Sequence, residues 1–159
     1  MSKIQEFLKN QEKSVMSIVE GKTIIDYLNS NAEEAPDYPA LNTPINNEYT
    51  GWDSISWSEY QETVHNLASG LIDIGIQAED NAFIVANNVK EHFISDLGIM
   101  HAGAVPSTIY KQLKSGQIEY ISNLLEAKVA FVGDAELFTE VNKAKDNCPD
   151  MKYIIMIED

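Results

Sequence analysis

Two short runs in this chain have no polar face, and they restrict its possible folds more than any other feature. Residues 82–86 read Ala-Phe-Ile-Val-Ala, and the strand expected at 128–132 reads Lys-Val-Ala-Phe-Val, apolar from Val129 on. Four or five apolar residues in a row, with β-branched and aromatic members, suit a strand buried on both sides. The segments around them change to helical spacing. Residues 90–102 read as a helix, and residues 104–110 as a strand. A second helix carries Ile118, Ile121 and Leu125, a third spans 136–147, and a last strand spans 153–157. Strand–helix alternation with short links predicts an α/β fold, a mostly parallel sheet with helices on both faces.

The first half leads into that pattern. Residues 3–20 carry Ile4, Phe7, Leu8, Val15, Ile18 and Val19 among charged residues, which predicts one helix or two with part of a face to bury. Gly21 breaks it, so residues 1–22 form an N-terminal helical segment and residues 23–159 the main unit. Thr23 and Asp26 have capping-box spacing, and the helix they start, residues 24–34, is expected to bury Ile24, Ile25 and Leu28. Pro36, Pro39, Pro44 and the pair Asn46-Asn47 predict an irregular loop, with a brief edge strand at Ala40-Leu41. A short strand at Ile55-Ser56-Trp57 leads to a helix with Ser58 as N-cap and Gln61 closing the box. Tyr60, Val64, Leu67, Leu71 and Ile74 form its apolar stripe, and Gly75 is placed to end it.

Charge excludes several functions. The formal net charge is −14, a field that repels nucleic-acid backbones and anionic membrane surfaces. All eleven positive residues are lysines, so no guanidinium can clamp a phosphate. Cys148 is the single cysteine, which rules out an internal disulfide and points to the cytoplasm. No stretch is long enough or apolar enough to form an integral membrane segment. Phosphate-binding fingerprints are missing: the turn after residues 82–86 is Asn87-Asn88-Val89-Lys90, without glycine. Gly70/Gly75 and Gly98/Gly103 have P-loop spacing but no Lys-Ser or Lys-Thr follows, so they read as packing and cap residues. His92 and Asp96 share a helix face and read as a surface pair, with no third metal ligand. His65 reads as a boundary residue, and His101 as a group favoured by a helix C-terminus. The remaining candidates are Lys111, Lys114 and Ser115, on the loop that opens the helix after residues 104–110. Ser115 is the expected cap of that helix. Open α/β sheets bind ligands at the carboxyl ends of their strands, and helix N-termini receive anions.

Several ordered segments resemble one family. Ile55-Ser56-Trp57-Ser58-Glu59-Tyr60 is similar to the first core motif of the AMP-forming acyl-CoA synthetases. The run from Asp96 to Pro106, Asp-Leu-Gly-Ile-Met-His-Ala-Gly-Ala-Val-Pro, resembles the second, in which a small-residue helix packs closely on the sheet through Gly103. Ile109-Tyr110, Glu119-Tyr120-Ile121 and the segment from Ala127 to Asp134 continue the match in the manner of the long-chain fatty acid–CoA ligases. The resemblance covers residues 23–159 and departs from the family at His92 and at Lys111-Gln112-Leu113-Lys114.

The resemblance implies an N-terminal portion of such a ligase. Complete members activate a fatty acid with ATP and magnesium as an acyl-adenylate, then transfer the acyl group to coenzyme A. The phosphate loop is expected beyond Asp159, so this chain is expected to act as scaffold and to be inactive alone. No residue is assigned a catalytic or metal-binding role. Lys111, Lys114 and Ser115 are assigned a phosphate of coenzyme A. Because later sequence covers part of the sheet in this family, self-association is also expected. The alternative is a stand-alone interaction or regulatory module of the same fold. A receiver-like switch fits less, since Asn87-Asn88 stands where an acidic pair is needed.

Overall fold

Residues 82–85 and 129–132 become the two inner strands of a four-stranded parallel sheet. The computed structural model describes residues 3–45 and 50–157. In chain order the elements are α1 (Lys3–Val19), α2 (Ile24–Glu34), β1 (Pro39–Pro44), β2 (Trp52–Ser56), α3 (Trp57–Asp73) and β3 (Asn81–Val85). Then come α4 (Lys90–His101), β4 (Val105–Thr108), α5 (Ser115–Leu125), β5 (Val129–Val132), α6 (Ala135–Lys145) and β6 (Tyr153–Met156). The sheet order is β4-β3-β5-β6, and every neighbouring pair is parallel. β1 and β2 form a separate antiparallel pair.

Strand geometry explains the apolar runs. Side chains alternate between faces, so a strand covered on both sides needs apolar residues at every position. Ala82, Ile84, Val129 and Phe131 pack on one face with Ala68 and Leu71 of α3 and Ile99 of α4. Phe83, Val85, Ala130 and Val132 pack on the other face with Ile118 of α5 and Leu137 and Val141 of α6. The lone Cys148 is buried with this second group. A third cluster, Leu28, Tyr60 and Val64, joins α2 to α3 beneath the β1–β2 pair.

Local chemistry sets the helix ends. Thr23 caps α2 as expected, its hydroxyl accepting from the Asp26 N–H while Asp26 accepts from the Thr23 N–H at 2.6 Å. The cap of α3 differs from the sequence expectation. Ser56, not Ser58, is the N-cap, and Glu59 closes the box by accepting from the Ser56 N–H at 2.8 Å. A carboxylate is the stronger acceptor and is favoured by the helix dipole, so it prevails over Gln61. Gln61 donates instead to Asn29 Oδ1 at 2.9 Å. Gly75 ends α3 at φ +90°, where a side chain would be strained.

Other expectations shift as well. The segment read as a loop holds a full strand from Pro39 to Pro44, with its two prolines at the ends, where a missing N–H costs least. Ile24 is 52% exposed, and Ile74 also lies open. α1 is one helix whose Ile4, Val15, Ile18 and Val19 side chains are exposed. The Asn46-Asn47 turn and the side chains of Phe7 and Leu8 lie outside the described residues. Among the described residues, no helix is long and apolar enough to cross a membrane.

A close approach does occur at Gly103, where a Cβ would stand 3.3 Å from Ala78 Cβ and 3.5 Å from Ala78 Cα, and a tighter one occurs at Gly98. A Cβ on Gly98 would stand 2.5 Å from Leu67 Cδ2 and 2.8 Å from Leu67 Cγ, where α4 crosses α3. Gly103 serves the turn after α4, at φ +81°. Gly70 has open space around its missing Cβ. Gly98→Ala is therefore expected to destabilise by overpacking, about 1–3 kcal/mol set against a helix-propensity gain of about 1 kcal/mol. Gly70→Ala gains propensity without a clash and is expected to raise the denaturation midpoint. Equal shifts in urea melts of the two variants would contradict this packing.

Candidate functional site

The sheet has its topological switch between β3 and β5. α4 leaves β3 toward one face, and α6 leaves β5 toward the other. The crevice outside the carboxyl ends of such strands is where open α/β sheets hold ligands. Here it is bordered by Asn87 after β3, Ile109 to Gln112 after β4, and Asp134 after β5. Two adjoining clefts of about 350 and 420 Å³ share Lys111 and Gln112.

Each candidate from the sequence falls on this edge. Lys111 Nζ donates to Asn87 Oδ1 at 2.7 Å, bridging the loops after β4 and β3. Lys114 is the N-cap residue of α5, its N–H donating to Gln117 Oε1 at 3.2 Å. Ser115 is thus the first helical residue and not the cap. Its N–H, one of the unpaired donors of the helix start, is taken by Glu140 Oε2 at 3.0 Å. Asp134 fills the neighbouring α6 terminus, accepting from the Leu137 N–H at 2.9 Å. The lysines therefore share their cleft with Asp134, Glu136 and Glu140.

This donor set determines which ligands fit. Two lysines among three carboxylates are a poor cradle for a triphosphate, and the α5 amide that an anion would need already holds Glu140. Among the described residues, no group of three His, Cys, Asp or Glu side chains converges as a metal site. The residues present do not fit ATP with magnesium. A single phosphate on Ser115 requires Glu140 to move aside.

The His92–Asp96 surface pair expected from the sequence is not formed. His92 lies with Nδ1 3.3 Å from the Asn87 carbonyl and Nε2 3.1 Å from Thr108 Oγ1, so it ties α4 to the carboxyl edge. Asp96 lines an apolar cleft between α2, α3 and α4 instead. Burial raises its carboxyl above the usual range, with His92 acting in the opposite sense. The other two histidines stack, ring centroids 4.5 Å apart and 13° from parallel. Desolvation, then His65, lowers the pKa of His101, so the dipole advantage expected at that helix end does not prevail. Neither the stacking nor the turned Asp96 has a signature in residue spacing, because both depend on how α3 and α4 cross.

Comparison with known proteins gives consistent matches. The sequence profile described as AMP-binding enzyme matches residues 28–159. The long-chain-fatty-acid–CoA ligase heimdall of Drosophila melanogaster is 27% identical over 150 residues, 93% of this chain and 22% of that protein. An uncharacterized protein of Mycobacterium tuberculosis is 30% identical over 94 residues, 59% of this chain and 51% of its own length. A putative long-chain-fatty-acid CoA ligase from Rhodopseudomonas palustris has the same fold, with a TM-score of 0.77 at 20% identity over 89% of this chain and 34% of that structure. The chain thus spans less than a quarter of the Drosophila ligase.

Glu140 carries a pH prediction. Lys143, then the Ser115 N–H, holds its carboxyl below the usual range. Such a group binds fewer protons folded than unfolded. Its contribution is complete above the unfolded pKa and is lost as pH falls through the folded one. Glu59 and Asp26 behave alike through their caps, whereas the raised Asp96 runs the opposite way. The melting temperature of Glu140→Gln is expected to fall less than that of the unaltered protein between about pH 5 and about pH 3. Parallel curves would remove Glu140 from this role.

Proposed function

This chain belongs to the AMP-binding enzyme family, and from that premise we propose that it is the N-terminal part of an AMP-forming long-chain fatty acid–CoA ligase. The observation that carries the reading is a match over 93% of this chain to 22% of a long-chain ligase, on a fold shared with ligase structures. In this reading the complete enzyme takes fatty acid, ATP with magnesium, and coenzyme A. The present residues supply the sheet and its carboxyl edge, not the reacting groups. The lone buried Cys148 suits a cytoplasmic protein.

A donor set that does not fit ATP and magnesium supports a scaffold role. Mixing the purified chain with ATP, magnesium, a long-chain fatty acid and coenzyme A should release no pyrophosphate above a protein-free control. Sustained release would contradict the scaffold assignment.

Within the same proposal, Lys111 and Lys114 hold a phosphate of coenzyme A beside Ser115. Their place at the carboxyl edge supports this, and Glu140 has to leave the Ser115 N–H for it to happen. Replacing both lysines by alanine in the complete enzyme should weaken coenzyme A binding by about tenfold, the scale of a lost charge-assisted contact. Unchanged affinity by calorimetry would sink the assignment.

One observation favours a second reading, a non-catalytic module of the same fold: the Mycobacterium tuberculosis relative of which this chain spans 51%. Sedimentation separates the two. Edge strands β4 and β6 and exposed Tyr153 and Met156 predict self-association for a scaffold awaiting its covering sequence. A cleanly monomeric protein would favour the module.

A further inference from the structure

Away from the carboxyl edge, α2, α3 and α4 form a cleft of about 300 Å³. Four of its nine lining residues are aromatic: Tyr27 from α2, Trp57 and Tyr60 from α3, and Phe93 from α4. The Tyr60 hydroxyl donates to the Phe93 carbonyl at 3.2 Å, which fixes that ring against α4. Trp57 and Tyr60 stand with centroids 6.2 Å apart and planes tilted by 36°. Asp96 is the one acid in the lining.

Asp96 is placed unusually for a carboxylate. It is half-buried, and among the described residues no donor hydrogen-bonds to it. The nearest candidate, His92, is engaged with Asn87 and Thr108. A half-buried carboxylate without protein donors gains from a cation that brings its own N–H groups. Aromatic faces add cation–π attraction. One ring of this wall already takes a cation: Lys22 Nζ lies 5.4 Å from the centroid of Tyr27. The net charge of −14 favours the same sign of ligand, and Asp96 repels a fatty acid carboxylate.

We infer that this cleft binds a small organic ammonium ion, an alkyl- or arylalkylamine, with its nitrogen on Asp96 and its hydrocarbon against Trp57, Tyr60 and Phe93. A volume of about 300 Å³ is at the lower end of small-molecule sites and suits a ligand with one ring or a short chain. The inference stands whether or not the chain is part of a ligase, because it draws on no residue of the carboxyl edge.

The test uses three probes of one shape: phenethylammonium, neutral 2-phenylethanol and anionic phenylacetate. Each is titrated into the 159-residue chain while the indole N–H resonances of its two tryptophans are followed. Phenethylammonium should shift the Trp57 signal saturably and bind about tenfold tighter than either relative. Asp96→Asn should lose that advantage and leave 2-phenylethanol binding unchanged. It removes a half-buried charge, so the variant is expected to fold. Phe93→Ala, at a side chain 54% exposed, should weaken both the ammonium and the alcohol. Equal affinity for the three probes, no saturable shift, or an Asp96→Asn protein that binds the ammonium as before would each overturn the inference.

Discussion

The parallel pairing of β3 with β5, in register from Ala82 against Val129 to Val85 against Val132, is the contact on which the other elements depend. Both strands lie inside the sheet, and each face needs its own cover of helices. Phe83 and Phe131 are fully buried on opposite faces, each contributing about 1.5–3 kcal/mol through burial. Removing the α3–α4 layer would leave Ile84 and Phe131 in water, and removing the α5–α6 layer would do the same to Phe83 and Val132. The two layers are therefore coupled through two strands of only five and four residues.

That arrangement also fixes the carboxyl edge. Because α4 and α6 leave neighbouring strands toward opposite faces, a crevice opens between Asn87 and Asp134. The chain partly fills it with its own groups: Lys111 bridges to Asn87, Glu140 holds Ser115, and Asp134 caps α6. The edge is positioned for a ligand, but its two lysines stand among three carboxylates. The apolar cleft holding Asp96 is built from different elements, α2, α3 and α4.

Features set by local chemistry could be read from the sequence. The two-sided apolar runs gave the inner strands, the Thr23–Asp26 box gave the start of α2, and Gly75 gave the end of α3. The α3 cap lies two residues before the position that spacing predicts, because Ser56 and Ser58 both have a partner three positions on, and only acceptor strength separates Glu59 from Gln61. Ser115 looked like a cap, yet its neighbour Lys114 holds that position. Glu140, a residue 25 positions later, decides what the helix start binds. The close contact at Gly98 and the turning of Asp96 into an apolar cleft arise from helix crossing, which has no period in the sequence. Spacing therefore identified the elements and the edge, while the electrostatics of the edge emerged only from residues far apart in the chain.

β3 and β5, covered on both faces, hold this chain together as a cooperative unit. Native-state hydrogen exchange tests it most directly. The amides of β3 and β5 should exchange only through global unfolding, with the same free energy and denaturant dependence as each other, while those of α1 and the edge strand β6 open at lower cost. Exchange of β3 and β5 amides by local opening, as fast as in β6, would contradict the account.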